Sequence, residues 1–151
     1  MVMGSVQAVN FVEPHKTAKA RKRLSGPMVH LRNVGLLWGK RLDYGCGRGF
    51  DAEVMGFDAA YDPHFRPKLD RRHRFDIITC IYVLNVVSEE VQREIIADVN
   101  SLLLSDGMAY FAVRRDIPRE GSKSQRWVTL ASPAFIEAEE RRFCIYARRK
   151  T

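Results

Sequence analysis

The sequence predicts an α/β domain with a mostly parallel sheet, helices on its faces and an antiparallel pair of strands at one edge. Three features predict it. Phe75 to Tyr82 is a nearly continuous apolar run with β-branched residues, as expected of a strand buried on both faces. The stretch after Ser88 carries apolar residues at helical spacing. Between them and the N-terminus, Asp43-Tyr44-Gly45-Cys46-Gly47-Arg48-Gly49 follows a short strand candidate, where open α/β sheets turn and bind ligands. The 151 residues, 46% of them hydrophobic, make one domain with a full core.

The elements follow in order. His15 to Arg23 reads as a basic surface helix. Ser25-Gly26-Pro27 breaks it and caps the next, over Pro27 to Val34, with Gly35 as its stop. Arg41 to Tyr44 is a strand, and Phe50 to Met55 leaves room for only a very short helix before a second strand at Ala59 to Tyr61. From Asp62 to Phe75 the two prolines and the Arg71-Arg72-His73-Arg74 run leave no convincing strand. Ser88-Glu89-Glu90 is a cap followed by two acids at the positive end of a helix. Val91, Ile95, Ile96, Val99, Leu102 and Leu103 form its apolar face, and Ser105-Asp106-Gly107 is its predicted stop. Met108 to Val113 is a buried strand; Arg126 to Leu130 and Arg141 to Arg148 are the predicted edge pair. Residues 1–39 thus read as a basic helical arm packed on a domain of residues 40–151.

Charge divides the chain. The formal net charge is +7. Residues 1–41 hold eight basic residues and one acid, residues 42–113 seven and twelve, and residues 114–151 ten and five. Basic ends suit a polyanion such as nucleic acid, or simply a solvated surface. On a helix, Lys16, Lys19 and Arg23 share a face. These three and Arg114 are the candidate substrate contacts. Cys46, Cys80 and Cys144 make an odd, widely spaced set, which points to reduced thiols and a cytoplasmic setting. No stretch approaches the length of a membrane span. The four histidines lack metal-ligand spacing, so no metal is expected.

The glycine cluster carries the chemistry. Alternate glycines turn the backbone sharply and leave no Cβ in a ligand's way. A dinucleotide fingerprint would need glycine where Phe50 stands, and no Gly-Lys-Ser/Thr of a phosphate loop follows. An acid ahead of the glycines fits a cationic ligand.

This segment resembles motif I of the class I S-adenosylmethionine-dependent methyltransferases. Phe75-Asp76-Ile77-Ile78 through Val83-Leu84-Asn85-Val86-Val87 is similar to that family's fourth-strand segment. Leu102 to Gly107 resembles its Leu-Leu-x-x-Gly-Gly turn, with Asp106 in place of one glycine. Lys16-Thr17-Ala18, Arg21, Leu24-Ser25, Pro27 and Asp62-Pro63-His64-Phe65-Arg66-Pro67 resemble the DNA phosphorothioation-associated methyltransferases and their short relatives. The resemblance implies a minimal Rossmann-like sheet and S-adenosylmethionine as cofactor. It places Asp43 near the cationic methionine end, with Tyr44, Gly45, Cys46, Gly47 and Gly49 along the close approach. Asp62, before Pro63, is its ribose acid, with Asp58 second choice; Cys80, Ile81 and Tyr82 would face the cofactor's middle. Gly49 to Asp62 is shorter than the roughly 20 residues usual from glycine turn to ribose acid. No residue is singled out as catalytic. The segment Cys80-Ile81-Tyr82-Val83 is neither the Asn/Asp-Pro-Pro-Tyr of amino-methylating DNA enzymes nor the Pro-Cys of cytosine C5 enzymes. The acceptor stays open between nucleic acid, a small molecule and a protein side chain, beside a non-catalytic cofactor sensor or partner subunit.

Overall fold

The computed structural model describes residues 14–18 and 20–151. A 3₁₀ turn, Pro14–Thr17, precedes helix α1 (Gly26–Asn33), strand β1 (Arg41–Tyr44), helix α2 (Phe50–Met55) and strand β2 (Ala59–Tyr61). Then come β3 (Phe75–Ile81), a 3₁₀ turn at Leu84–Val86, α3 (Glu89–Ser101), β4 (Leu103–Arg114), β5 (Phe135–Glu139) and β6 (Phe143–Arg149).

The six strands form one sheet in the order β2-β1-β3-β4-β6-β5. The pairs from β2 to β4 are parallel, and β6 joins β4 and β5 antiparallel. The chain leaves β1 toward β2 and returns to β3 on the other side. That reversal opens a crevice at the carboxyl ends of β1 and β3, where such sheets bind ligands.

Alternation along the strands divides the core. Ile78, Cys80, Phe111, Val113, Cys144 and Tyr146 join Leu42 and Tyr44 under α3, whose Val91, Ile95 and Val99 are buried. Each fully buried Val, Leu, Ile or Phe among them stabilises the fold by about 1.5–3 kcal/mol. Ile77, Tyr110, Ala112, Ile145 and Ala147 face the other way and meet Leu31 of α1. Ser25 caps α1, its hydroxyl accepting from Met28 N, and Ser88 caps α3 through Val91 N.

Three expectations are corrected. Among the described residues the basic arm is not a helix beyond Thr17, so Lys16 and Arg23 do not share a helical face; Lys19 lies outside the described residues. The arm is held by contacts with the rest of the chain. His15 stacks on His64 with ring centroids 3.8 Å apart, and Ser25 bonds to Asp51 of α2. Second, α3 ends at Ser101, and Leu103 already pairs with Phe75. Ser105-Asp106-Gly107 lies within β4, at a break in register between the Phe75–Leu103 and Ile77–Met108 pairs. A side chain at Gly107 would start 2.9 Å from Leu104 O and 3.0 Å from Phe75 O, so this crossing needs glycine. Third, Arg126 to Leu130 is not a strand. Arg126 bonds through its N–H and carbonyl to Asn85, and the edge strand is Phe135–Glu139.

Candidate functional site

At the carboxyl ends of β1 and β3 lies a cavity of about 410 Å³. Its floor is the glycine turn. Gly45, Gly47 and Gly49 have φ of +79°, +57° and +89°, a region that L side chains rarely occupy. Gly45 N and Cys46 N both donate to Tyr61 O, at 2.6 and 2.9 Å, which ties the turn to the end of β2. A side chain at Gly45 would collide with Val83, whereas one at Gly47 would project into open space, with Ala18 Cβ of the arm 3.6 Å away.

Acids line this end. Asp43 is buried, and Thr79 Oγ1 donates to its Oδ1 at 2.8 Å. Burial pushes its carboxyl up to about 7; the Thr79 hydrogen bond and the charge of Arg21 oppose the shift, and the charge of Asp51 adds to it. Asp51 is buried too, accepting from Ser25 N at 3.1 Å and Ser25 Oγ at 2.6 Å. Asp62 accepts from Gly47 N at 3.0 Å through Oδ2, and from His64 N and Phe65 N through Oδ1. It therefore braces the glycine turn as well as lining the cavity. Asp58, the second choice, accepts from Arg41 N at the other end of β2, away from the cavity.

Most of the residues singled out from the sequence meet here. Asp43, Tyr44, Gly45, Cys46, Gly47, Gly49, Asp62, Pro63, Ile81, Tyr82 and Arg114 all line the cavity. Tyr44 does so while its ring is buried and its hydroxyl donates to Asp98 of α3 at 2.6 Å. Cys80 does not belong with them. It is fully buried under α3, because consecutive strand residues alternate faces and Ile81 takes the cavity side. Lys16 and Arg23 are exposed and do not line the cavity. The Cys46 thiol is pushed up to about 12, chiefly by burial and then by Asp43 and Asp62, which disfavours its thiolate form.

The far wall comes from residues that sequence reasoning passed over: Asp116, Gln125, Arg142 and Phe143. Arg114 grips Asp116 through two hydrogen bonds of 2.8 Å, which hold that carboxyl below the usual range. Buried Asn85 positions this wall, accepting from Arg114 N at 2.8 Å and donating to Arg126 O at 2.7 Å. Tyr82 stands between the two ends with φ of +61°, strained for an aromatic residue and a conformation typical of functional sites. Its hydroxyl is pushed up by burial, with Arg21 opposing. Only Asp116, two residues after Arg114, carries a legible signal; a left-handed tyrosine and a buried asparagine carry none.

No family model and no curated protein matches the chain. Solved structures do. TehB from Haemophilus influenzae superposes with a TM-score of 0.62 at 15% identity, over 87% of this chain and 64% of that one. A TehB-like S-adenosylmethionine-dependent methyltransferase from Corynebacterium glutamicum gives 0.55 at 16%, over 82% and 87%. The 1,6-didemethyltoxoflavin-N1-methyltransferase of Burkholderia thailandensis, solved with its substrate and S-adenosylhomocysteine, gives 0.57 at 17%, over 83% and 77%. The six-strand sheet with its β4-β6-β5 antiparallel edge is thus the class I S-adenosylmethionine-dependent methyltransferase fold, in a version whose described residues lack a strand between β2 and β3.

Proposed function

We propose that the protein transfers the methyl group of S-adenosylmethionine to an anionic acceptor. One observation carries this reading: a single cavity joins the glycine turn and its acids to a wall built around Arg114, Asp116 and Tyr82. The site fits the cofactor chemically. Bound there, it supplies an electrophilic methyl on a cationic sulfur. Asp43, an acid buried beside the cavity, suits its cationic groups; Gly47 leaves room that any side chain would fill; Asp62 keeps acceptor capacity beyond its three backbone bonds for ribose hydroxyls.

The chain's part in the reaction is to position and dehydrate. Tyr82, Ile81 and Phe143 wall the cavity, and the Arg114–Asp116 ion pair adds fixed charges to the same lining. Asp116 is held ionised, and Tyr82 is held protonated. Such a site suits an acceptor atom that already carries a lone pair, for which alignment supplies most of the rate.

Basic residues favour an anion. Exposed Lys22 and Arg23 follow lining residue Arg21, and exposed Arg119, Lys123 and Arg126 lie on the loop that contributes Asp116 and Gln125. Nucleic acid is the first candidate. A small molecule is second, favoured by the size of the cavity and by the Burkholderia neighbour. The likeness of the arm to the phosphorothioation-associated group adds no acceptor.

The test is S-adenosylhomocysteine release with single- and double-stranded oligonucleotides and with small heteroaromatic acids, each over a salt series. Oligonucleotide affinity, read as kcat/KM at low acceptor, should fall by about 0.7–0.9 log units per log unit of salt for each phosphate contacted. Turnover with small acids alone moves the acceptor to the second reading. Cofactor binding without turnover on any acceptor makes the protein a sensor or partner subunit.

A further inference from the structure

We infer that Arg21, carried by the N-terminal arm, holds the carboxylate of the cofactor's amino-acid end opposite Asp43. The arm then supplies specificity that motif I lacks. This inference rests on the cofactor reading above.

The arm is fixed on both sides of Arg21. Ala18 lies over Gly47, and Ser25 is bound through its N–H and hydroxyl to Asp51. Arg21 thereby lines the cavity, close enough to Asp43 for its charge to act on that carboxyl. Its guanidinium lies 5.9 Å from the centroid of the Tyr82 ring, which also lines the cavity. Among the described residues Arg21 forms no ion pair.

The other charges near it are already engaged. Asp51 is bound to Ser25 and Asp62 to three backbone N–H groups. Arg114 is bound to Asp116, and Arg48 lies 4.8 Å from the Phe65 ring, on the Asp62 side. Arg21 and Asp43 remain as a cation and an acid of the lining that hold no ion pair in the described residues, Asp43 accepting only from the Thr79 hydroxyl. An α-amino acid head is a carboxylate and an ammonium on one carbon, so it needs that arrangement. A guanidinium fork meets a carboxylate through two parallel hydrogen bonds.

The experiment is calorimetric titration of wild type, Arg21→Gln and Arg21→Lys. The ligands are S-adenosylhomocysteine and its decarboxylated analogue, which keeps the ammonium and loses only the carboxylate. Arg21→Gln should weaken S-adenosylhomocysteine binding by about 10- to 100-fold and leave the analogue's affinity unchanged. Arg21→Lys, which keeps the charge without the fork, should fall between. Equal affinity for S-adenosylhomocysteine in wild type and Arg21→Gln overturns the assignment while the cofactor reading stands. An equal loss for both ligands also overturns it, since Arg21 would then only shape the arm. A wild-type protein that binds neither ligand overturns the cofactor reading and this inference with it.

Discussion

Asp43 gives the site a pH dependence of its own. An aspartate in the unfolded chain ionises near pH 4, whereas burial holds this one protonated to about 7 in the folded protein. The folded state therefore binds the extra proton across that window. The stability tied to this group is full below about pH 4 and declines as pH rises toward 7. Asp43→Asn keeps an acceptor for Thr79 and removes the charge, so it should gain on wild type by up to about 4 kcal/mol between pH 4 and 7 in urea melts. S-adenosylhomocysteine affinity should move oppositely in wild type, rising until Asp43 is ionised, and be flat in the variant over that range. Parallel melting curves would remove Asp43 from this role. The acid and the glycines were legible because their types and spacing are chemical signals. The orientation of Cys80 was missed because three consecutive strand residues were given one face, and the φ of Tyr82 because no local rule puts tyrosine there.

Elements bounded by punctuating residues were read closely. β1, α2 and β2 match their expected bounds, since Gly45, Gly49 and Gly56 interrupt the chain around them. Arg126 to Leu130 has strand-forming residues, yet its backbone bonds to Asn85, and Arg115 and Arg119 lie over Trp127 at 4.4 and 4.9 Å. Phe135–Glu139 mixes the strand formers Phe and Ile with Glu and Ala, which strands disfavour, yet it pairs as an edge strand, because β propensity follows context. The arm departs from its expected helix in the same way, held by contacts with His64 and Asp51. Ser25 is the sharpest test of that. Its hydroxyl caps α1 and also donates to buried Asp51. Ser25→Ala should cost about 2–3 kcal/mol in urea unfolding, whereas exposed Lys22→Ala should stay within about 0.5 kcal/mol. A Ser25→Ala loss no larger than that of Lys22→Ala would mean that the arm is not anchored there.

Over the whole molecule, the two basic ends and the acidic middle were countable in the sequence, but their meeting point was not. Arg21 from the arm, Arg114 from β4 and Arg142 from the β5–β6 turn come together on one cavity that is also lined by Asp43, Asp51 and Asp62. That convergence follows from the sheet order, which places the ends of β1, β3 and β4 side by side. On the proposed reading this cavity receives S-adenosylmethionine over Gly47. That reading is tested most directly by titrating S-adenosylhomocysteine into wild type, Gly47→Val and Gly56→Ala in a calorimeter. Gly56 shares the left-handed backbone, at +66°, but lies in open space outside the cavity, so it controls for strain of about 1–2 kcal/mol. Wild type and Gly56→Ala should bind one equivalent, and a folded Gly47→Val should bind none. Unchanged affinity in folded Gly47→Val, or no binding by wild type, would contradict the account.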